Sequence, residues 1–410
     1  MKQKAAPLPP LWTRDFCLLT LGHFLQSIGW TSMLLLPLLL NHMGATRIEL
    51  GVVMGVAALG GLCIRPLVGK LIDSWGRRPV LVWGTSCLAL GIGPIGWITE
   101  VGWAMYLARI LIGFGSGALF SAYFVAAADM IPASRRSEGI ALFGISGLLP
   151  ISVSAFVDGI GLTAEALSAV YPWVALIVLS SLVCIATIDE PKAVHAEQST
   201  SSLRALLKPS LIPVWLISLI FASLVATFMT FATVVAQNRG VPWPAQLWMT
   251  YSAGAVTVRL FGARLPARVG PYNLVAPALA LYAFAFIGAA TSVTPSGFLW
   301  SGLMAGCGHG YCFPVLTTQV VDRSPTRIRG AALATFTGLW DFAGLIAPPT
   351  FGWFAECYND SAMLVSGALC GVMGLIAWTY LEHHASLRDG QVLKYGSTSS
   401  EQVEELKNTN

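Results

Sequence analysis

Long uninterrupted apolar runs, broken by short polar turns, set the pattern of this chain. The runs fall at about 15–41, 48–73, 79–99, 101–128, 138–160 and 166–188, and again at 211–237, 243–265, 273–294, 296–321, 329–355 and 361–382. A helix of about 20 apolar residues crosses the hydrocarbon of a bilayer. The runs are continuous rather than alternating, which predicts helices and excludes an outer-membrane barrel. A polar lead (1–14) precedes them, a polar linker (189–210) divides them six and six, and a polar tail (383–410) follows. The expected fold class is an all-α membrane protein, with twelve transmembrane helices in two pseudo-symmetric six-helix halves, 15–188 and 211–382. A small helix is expected in the linker at Arg204-Ala-Leu-Leu-Lys208.

Composition agrees with this pattern. The 410 residues are 55% hydrophobic and 11% charged, whereas soluble domains carry roughly 25% charged residues. The first run is too long for a signal-peptide core and lacks a small-residue cleavage pattern, so it is expected to remain as a span. Charge then sets the orientation. With a cytoplasmic N-terminus, 19 of the 24 lysines and arginines fall in the lead, the cytoplasmic turns, the linker or the tail. Arg47 and Arg239 fall on the other side, and Arg65, Arg109 and Arg259 lie within runs. This asymmetry follows the positive-inside rule and puts both termini in the cytoplasm. The net charge of +4 therefore reflects topology, and no nucleic-acid partner is expected. Of the eight cysteines, only Cys357 lies in a polar turn, and no CxxC spacing suggests a metal or redox site.

The halves repeat one another. Arg65–Gly76 (RPLVGKLIDSWG) aligns with Arg259–Gly270 (RLFGARLPARVG) at an offset of 194. Gly113-Phe-Gly-Ser-Gly117 aligns with Gly306-Cys-Gly-His-Gly310 at 193, as do Asp129 and Pro132 with Asp322 and Pro325. Parallel repeats of six helices are a transporter architecture, with the substrate site near the midplane between them. Transport is the expected function.

Three stretches carry a resemblance to a known family. Gly69-Lys-Leu-Ile-Asp73-Ser-Trp-Gly76-Arg77-Arg78-Pro-Val-Leu resembles the signature loop between helices 2 and 3 of the major facilitator superfamily. Arg109-Ile-Leu-Ile-Gly113-Phe-Gly115-Ser-Gly117-Ala118 resembles its fourth-helix motif, associated with proton-coupled members. Gly144-Ile-Ser-Gly147-Leu-Leu-Pro150 is similar to the fifth-helix motif of antiporters, with Leu149-Pro150 where that motif has Gly-Pro. The signature run, together with Leu339-Trp-Asp341-Phe-Ala-Gly344, most resembles bacterial efflux permeases of the arabinose-efflux type. The resemblance implies a multi-pass transporter of the bacterial inner membrane, working by alternating access. It also implies a partner for Asp73 at the start of helix 11, near Arg329-Gly330-Ala331.

The candidate site residues follow from position and chemistry. Gly69, Asp73, Gly76, Arg77 and Arg78 form an expected cytoplasmic gate, in which Asp73 can accept from the amide end of a neighbouring helix. Charges inside a span are costly and mark function. Asp341, at mid-depth in helix 11, is the expected proton-coupling residue, with His309 of helix 10 as a relay partner. Arg109 is expected to point into a substrate cavity with Gln26, Trp30, Tyr123, Thr230 and Tyr311. Arg65 and Arg259 read as side chains that snorkel to the surface. Gly91-Ile-Gly-Pro-Ile-Gly96 matches the dinucleotide fingerprint in letters alone, because it lies inside an apolar run and opens no βαβ unit. No P-loop, HExxH or nucleophile constellation is present, so neither a cofactor, a metal nor an enzymatic activity is expected. The partners expected are a small-molecule substrate, protons and the lipid bilayer, with the chain as a monomer. Proton-coupled export of a small organic solute or drug is the leading reading. An uptake symporter for a small metabolite is the alternative, and a receptor or scaffold without transport is a weaker one.

Overall fold

Polar caps, not hydrophobicity, fix where several helices begin. In the computed structural model, which describes residues 9–132, 135–161, 164–188, 208–262, 265, 269, 271–325 and 328–382, the first helix, α1 (Arg14–His42), starts at Thr13. The Thr13 hydroxyl accepts from the Phe16 amide at 3.3 Å. At the head of α2 (Arg47–Trp75), Thr46 and Glu49 form a reciprocal capping box that satisfies two amides at once. Prolines mark the irregularities. Turn residues interrupt α1 at 33–35, ahead of Pro37, and Pro66 lies inside α2.

The chain continues through α3 (Arg77–Trp97), α4 (Trp103–Met130), α5 (Glu138–Gly159), α6 (Ala166–Thr187), α7 (Ile212–Asn238) and α8 (Leu247–Phe261). It ends with α9 (Val275–Thr291), α10 (Pro295–Arg323), α11 (Arg329–Cys357) and α12 (Asp360–Glu382). Gly76 sits at the α2–α3 corner with φ 91°, a conformation that glycine adopts without strain. No β-strand occurs among the described residues. Nine of these helices, α1 to α7, α11 and α12, are long and apolar enough to cross a membrane. Of the rest, α9 is apolar but shorter, α8 spans 15 residues, and α10 is long but more polar. The expected linker helix, apart from Lys208, lies outside the described residues, as does the tail from 383.

Glycines set how closely the helices pack. A Cβ on Gly113 of α4 would overlap the Ala57 carbonyl of α2, and one on Gly306 of α10 would overlap the Tyr251 carbonyl of α8. Likewise, a Cβ on Gly117 would come 3.1 Å from the Gly61 Cα, and one on Gly310 would come 3.1 Å from the Ala255 Cα. These paired contacts recur at the 193–194 offset read in the sequence. The repeat is thus expressed as the same backbone-on-backbone packing of α2 on α4 and of α8 on α10. The repeats meet chiefly along α2 against α11 and α5 against α8, with the end of α1 also touching α7.

The two ends of the bundle differ. The near end gathers the start of α1, the ends of α4 and α6, and both flanks of the linker. There Arg78 donates to the Ala186 carbonyl at 2.6 Å, and Arg323 donates to the Ser210 carbonyl at 3.1 Å while pairing with Glu382 at 2.7 Å. The far end gathers α1–α2, α7–α8 and α11–α12, and it is tied shut across the repeats.

Candidate functional site

The α2–α11 seam is tight in its far half and open in its near half. Far from the termini, hypothetical Cβ atoms on Gly51, Gly55 and Gly352 would press on the backbones of Pro348, Leu345 and Arg47. Near the termini, Gly69 of α2 and Gly330 and Gly338 of α11 have nothing within 4 Å of such an atom. The Asp341 carboxylate sits where the packing changes. Its Oδ1 accepts from Arg65 Nη2 at 3.0 Å, and its Oδ2 accepts from Arg65 Nε. Gly61, one helical turn before Arg65, makes room for this carboxylate, whose Oδ2 lies 3.1 Å from the Gly61 Cβ position. The partner of Asp341 is therefore Arg65. This corrects the expectation that Arg65 snorkels: a carboxylate within reach compensates the guanidinium better than a stretch to the surface.

His309 is not brought onto Asp341. It hydrogen-bonds through Nδ1 to the Tyr251 hydroxyl, which also contacts the Tyr282 hydroxyl at 3.1 Å. Its ring stacks on Trp340, with centroids 5.8 Å apart and planes at 23°. The link between His309 and Asp341 thus runs through the chain neighbour Trp340.

Above the ion pair, towards the far end, lies a cavity of about 250 Å³ between α1, α2, α4, α7 and α11. Trp30, Arg109 and Thr230 line it together with Met54, Met229 and Gly344. Arg109 is 4% exposed and donates to two successive α2 carbonyls, Val53 at 3.0 Å and Met54 at 2.8 Å. Thr230 donates to the Ala226 carbonyl at 2.7 Å, leaving oxygen lone pairs available. The other expected cavity residues stand elsewhere. Gln26 is buried and donates to Ser27 at 3.0 Å. Tyr123 is fully buried, with its hydroxyl against Gly22 and its ring edge-on to His23. Tyr311 packs its hydroxyl on Gly262 at the near end of α8.

The expected gate is divided. Arg77 pairs with Asp129 at 2.8 Å and Arg78 reaches Ala186, so the two arginines pin the α2–α3 corner to α4 and α6. Asp73 is exposed beside them, and no described hydrogen bond or ion pair joins it to α11. Its second-half counterpart, Ala267, lies outside the described residues.

The far-end closure was not foreseen. Arg47 Nε meets Asp360 Oδ1 at 2.8 Å, and its Nη1 donates to Asn41 Oδ1 at 3.2 Å. Asn41 in turn donates to Gln237 at 2.7 Å and to Asn238 at 3.0 Å. Glu356 accepts from the Ile48 amide at 2.9 Å. Arg239 donates to the carbonyls of Ala289, Ala290 and Ser292 and to the Ser361 hydroxyl. One signal was available in the sequence, because Arg47 and Arg239 are the two basic residues that break the charge asymmetry. Each makes at least three hydrogen bonds here.

This arrangement holds one ion pair at a seam, a cavity beside it, one end shut and one corner open. Comparisons with known proteins agree on what such a chain is. The family model described as Major Facilitator Superfamily matches residues 19–348 and 245–396. The Escherichia coli K12 protein YhhS, an uncharacterised MFS-type transporter, is 24% identical over 353 residues, covering 82% of this chain and 84% of its own. An uncharacterised MFS-type transporter of Burkholderia mallei SAVP1 is 22% identical over 352 residues, covering 83% and 85%. Among solved structures, a D-xylose-proton symporter matches 90% of this chain and 96% of its own with a TM-score of 0.74 at 16% identity. The nucleoside transporter NupG matches 90% and 99% with 0.73 at 15% identity, and the human organic anion transporter MFSD10 matches 90% and 100% with 0.68 at 18% identity. At these identities the solved structures establish the fold. The chain is a multi-pass membrane transporter and not an enzyme, and it belongs to the major facilitator superfamily.

Proposed function

We propose that this chain is a proton-coupled secondary transporter that exports a small organic solute from the bacterial cytoplasm by alternating access. Twelve spans form two six-helix halves, 15–188 and 211–382, with both termini and the linker cytoplasmic and the chain acting as a monomer. The observation that carries the coupling is the Arg65–Asp341 pair. It bridges the halves at the point where the α2–α11 seam turns from tight to open. A proton on Asp341 removes the carboxylate's charge, leaving only a hydrogen bond from the still-charged guanidinium to a neutral carboxyl group in place of the ion pair, and frees the seam to rock. On this reading the near end is cytoplasmic, the far end is external, and the conformation described opens inward.

The cavity beside the pair, lined by Trp30, Arg109 and Thr230, receives the cargo. His309 supports Asp341 through Trp340 rather than by passing it a proton directly. The Asp73 latch engages α11 in the opposite, outward-open conformation, where the cytoplasmic corner closes. Export and the efflux-permease subfamily rest on the resemblance of the signature loop and of Leu339–Gly344, and proton coupling draws also on that of Arg109–Ala118.

Everted and right-side-out vesicles carrying the full chain, with an imposed pH gradient and a panel of labelled solutes, test the reading. Proton-driven accumulation is expected in everted vesicles and not in right-side-out ones, and Asp341→Asn should abolish it while sparing solute exchange. Accumulation in right-side-out vesicles alone would make the chain an uptake symporter. Full proton-driven accumulation in Asp341→Asn would remove the coupling assignment.

A further inference from the structure

The α5–α8 seam repeats the α2–α11 seam with one component missing. Arg259 of α8 stands 194 residues after Arg65 of α2, whereas Gly144 and Gly147 of α5 stand 194 residues before Gly338 and Asp341 of α11. A glycine thus occupies the place of the carboxylate. Arg259 still reaches across the seam, with Nη1 2.7 Å from the Cβ position of Gly144. Gly144 gives this guanidinium its space, as Gly61 gives space to the Asp341 carboxylate.

The Arg259 Nε is buried and has no hydrogen-bond partner among the described residues. Its ionisable neighbours are Tyr251 and His309, neither of them a carboxylate. Charge balance points the same way. Within the apolar runs three arginines, Arg65, Arg109 and Arg259, face one mid-depth acid, Asp341. Arg65 takes the acid, and Arg109 is held by the Val53 and Met54 carbonyls. An unpaired guanidinium inside a membrane is expensive and marks an ion path or a ligand site.

We propose that Arg259 binds an oxyanionic group of the cargo, a carboxylate in the first place, which fills for Arg259 the role that Asp341 fills for Arg65. The planar fork of donors on a guanidinium matches the two oxygens of a carboxylate. The cargo then completes an ion pair across the α5–α8 seam, so that loaded carrier has one charge pair at each seam and empty carrier has one. This assignment rests on the reading of the chain as a transporter with its path between the halves.

The test is thermal unfolding of the detergent-solubilised full chain with benzoate, inorganic phosphate or uncharged benzamide, since a ligand that binds the native state raises its melting temperature. Benzoate should stabilise the protein and benzamide should not. Arg259→Gln should weaken benzoate binding about tenfold to a hundredfold, as expected for a lost charge-assisted contact. Arg135→Gln, which removes a charge paired with Glu138 at the near end, should leave binding unchanged. If Arg259→Gln does not fold, Gly144→Ala preserves the charge but places a methyl against the guanidinium, and it too should weaken binding. Stabilisation by phosphate that depends on Arg259 would support the site and assign it to an inorganic oxyanion. Stabilisation by neither anion, or equal stabilisation in the Arg259 and Gly144 variants, would overturn the proposal. Benzoate binding through Arg259 without any proton-driven transport would leave the anion site standing and remove the coupling reading instead.

Discussion

Arg65 and Asp341, 276 residues apart in the chain, share two hydrogen bonds across the α2–α11 seam. Their side chains are 17% and 18% exposed, between a surface pair and a fully buried one. Loss of either partner strands a half-buried charge and should cost about 1–3 kcal/mol, between the surface and buried limits. Arg65→Gln and Asp341→Asn should each lower the melting temperature, and the double variant should regain part of the loss. A double-mutant cycle reads the coupling directly. Strictly additive losses would show that the two residues do not act on each other.

The far end is held by Arg47 and Asp360, at 19% and 21% exposure. A pair this accessible contributes about 0.5–1 kcal/mol, enough to shift a two-state population several-fold. Arg47→Ala should therefore populate the conformation with the far end open. Spin labels at the exposed residues Glu100 and Ser296, on opposite halves, should report a longer distance component. An unchanged distribution would show that Asn41, Gln237 and Glu356 hold this end without Arg47.

Asp73 is exposed and bonded to nothing on α11 in the conformation described. Asp73→Asn should change thermal stability by less than about 0.5 kcal/mol, the usual range for a surface substitution away from special features. It should nonetheless slow transport, because the latch is needed in the opposite conformation. Initial rates in proteoliposomes, set beside unfolding curves, separate the two effects, and full transport activity would remove the latch.

Arg109 holds two carbonyls one residue apart with two different nitrogens. Lysine offers one point donor on a flexible stem and reaches one of them at a time. Arg109→Lys should lose most transport while keeping expression near that of the parent. Parental rates would reduce Arg109 to a tolerated structural cation.

Glycine substitutions should sort by contact. Gly113→Ala and Gly306→Ala place a methyl on the backbone of the facing helix, and overpacking of this kind costs about 1–3 kcal/mol, occasionally more. Gly338→Ala meets nothing within 4 Å and replaces a poor helix former with a good one, so it should be neutral or stabilising. Unfolding midpoints of the three variants give the comparison. Equal effects at positions 113 and 338 would contradict the packing described.

The amino-acid sequence by itself determined the helices, the two-fold repeat and the family. Each of these is a one-dimensional property: run length, caps such as Thr46 with Glu49, and matching motifs at a fixed offset. The same sequence singled out Asp341 and the interior arginines, because a charge in an apolar run stands out wherever it points. Their partners were decided by the tertiary structure alone. Depth along a helix is legible from residue counting, but a helix that is apolar on all sides carries no pattern to say which way a given residue faces. Counting placed His309 at a depth similar to that of Asp341 and so favoured it as the neighbour, whereas Arg65 was expected to reach for the surface. Packing of α2 on α11 through Gly51, Gly55 and Gly61 turned Arg65 to it instead. The gathering of Arg47, Asp360 and Asn41 into a far-end closure, and the absence among the described residues of a carboxylate bonded to Arg259, likewise follow from which helices meet, a relation between residues hundreds of positions apart.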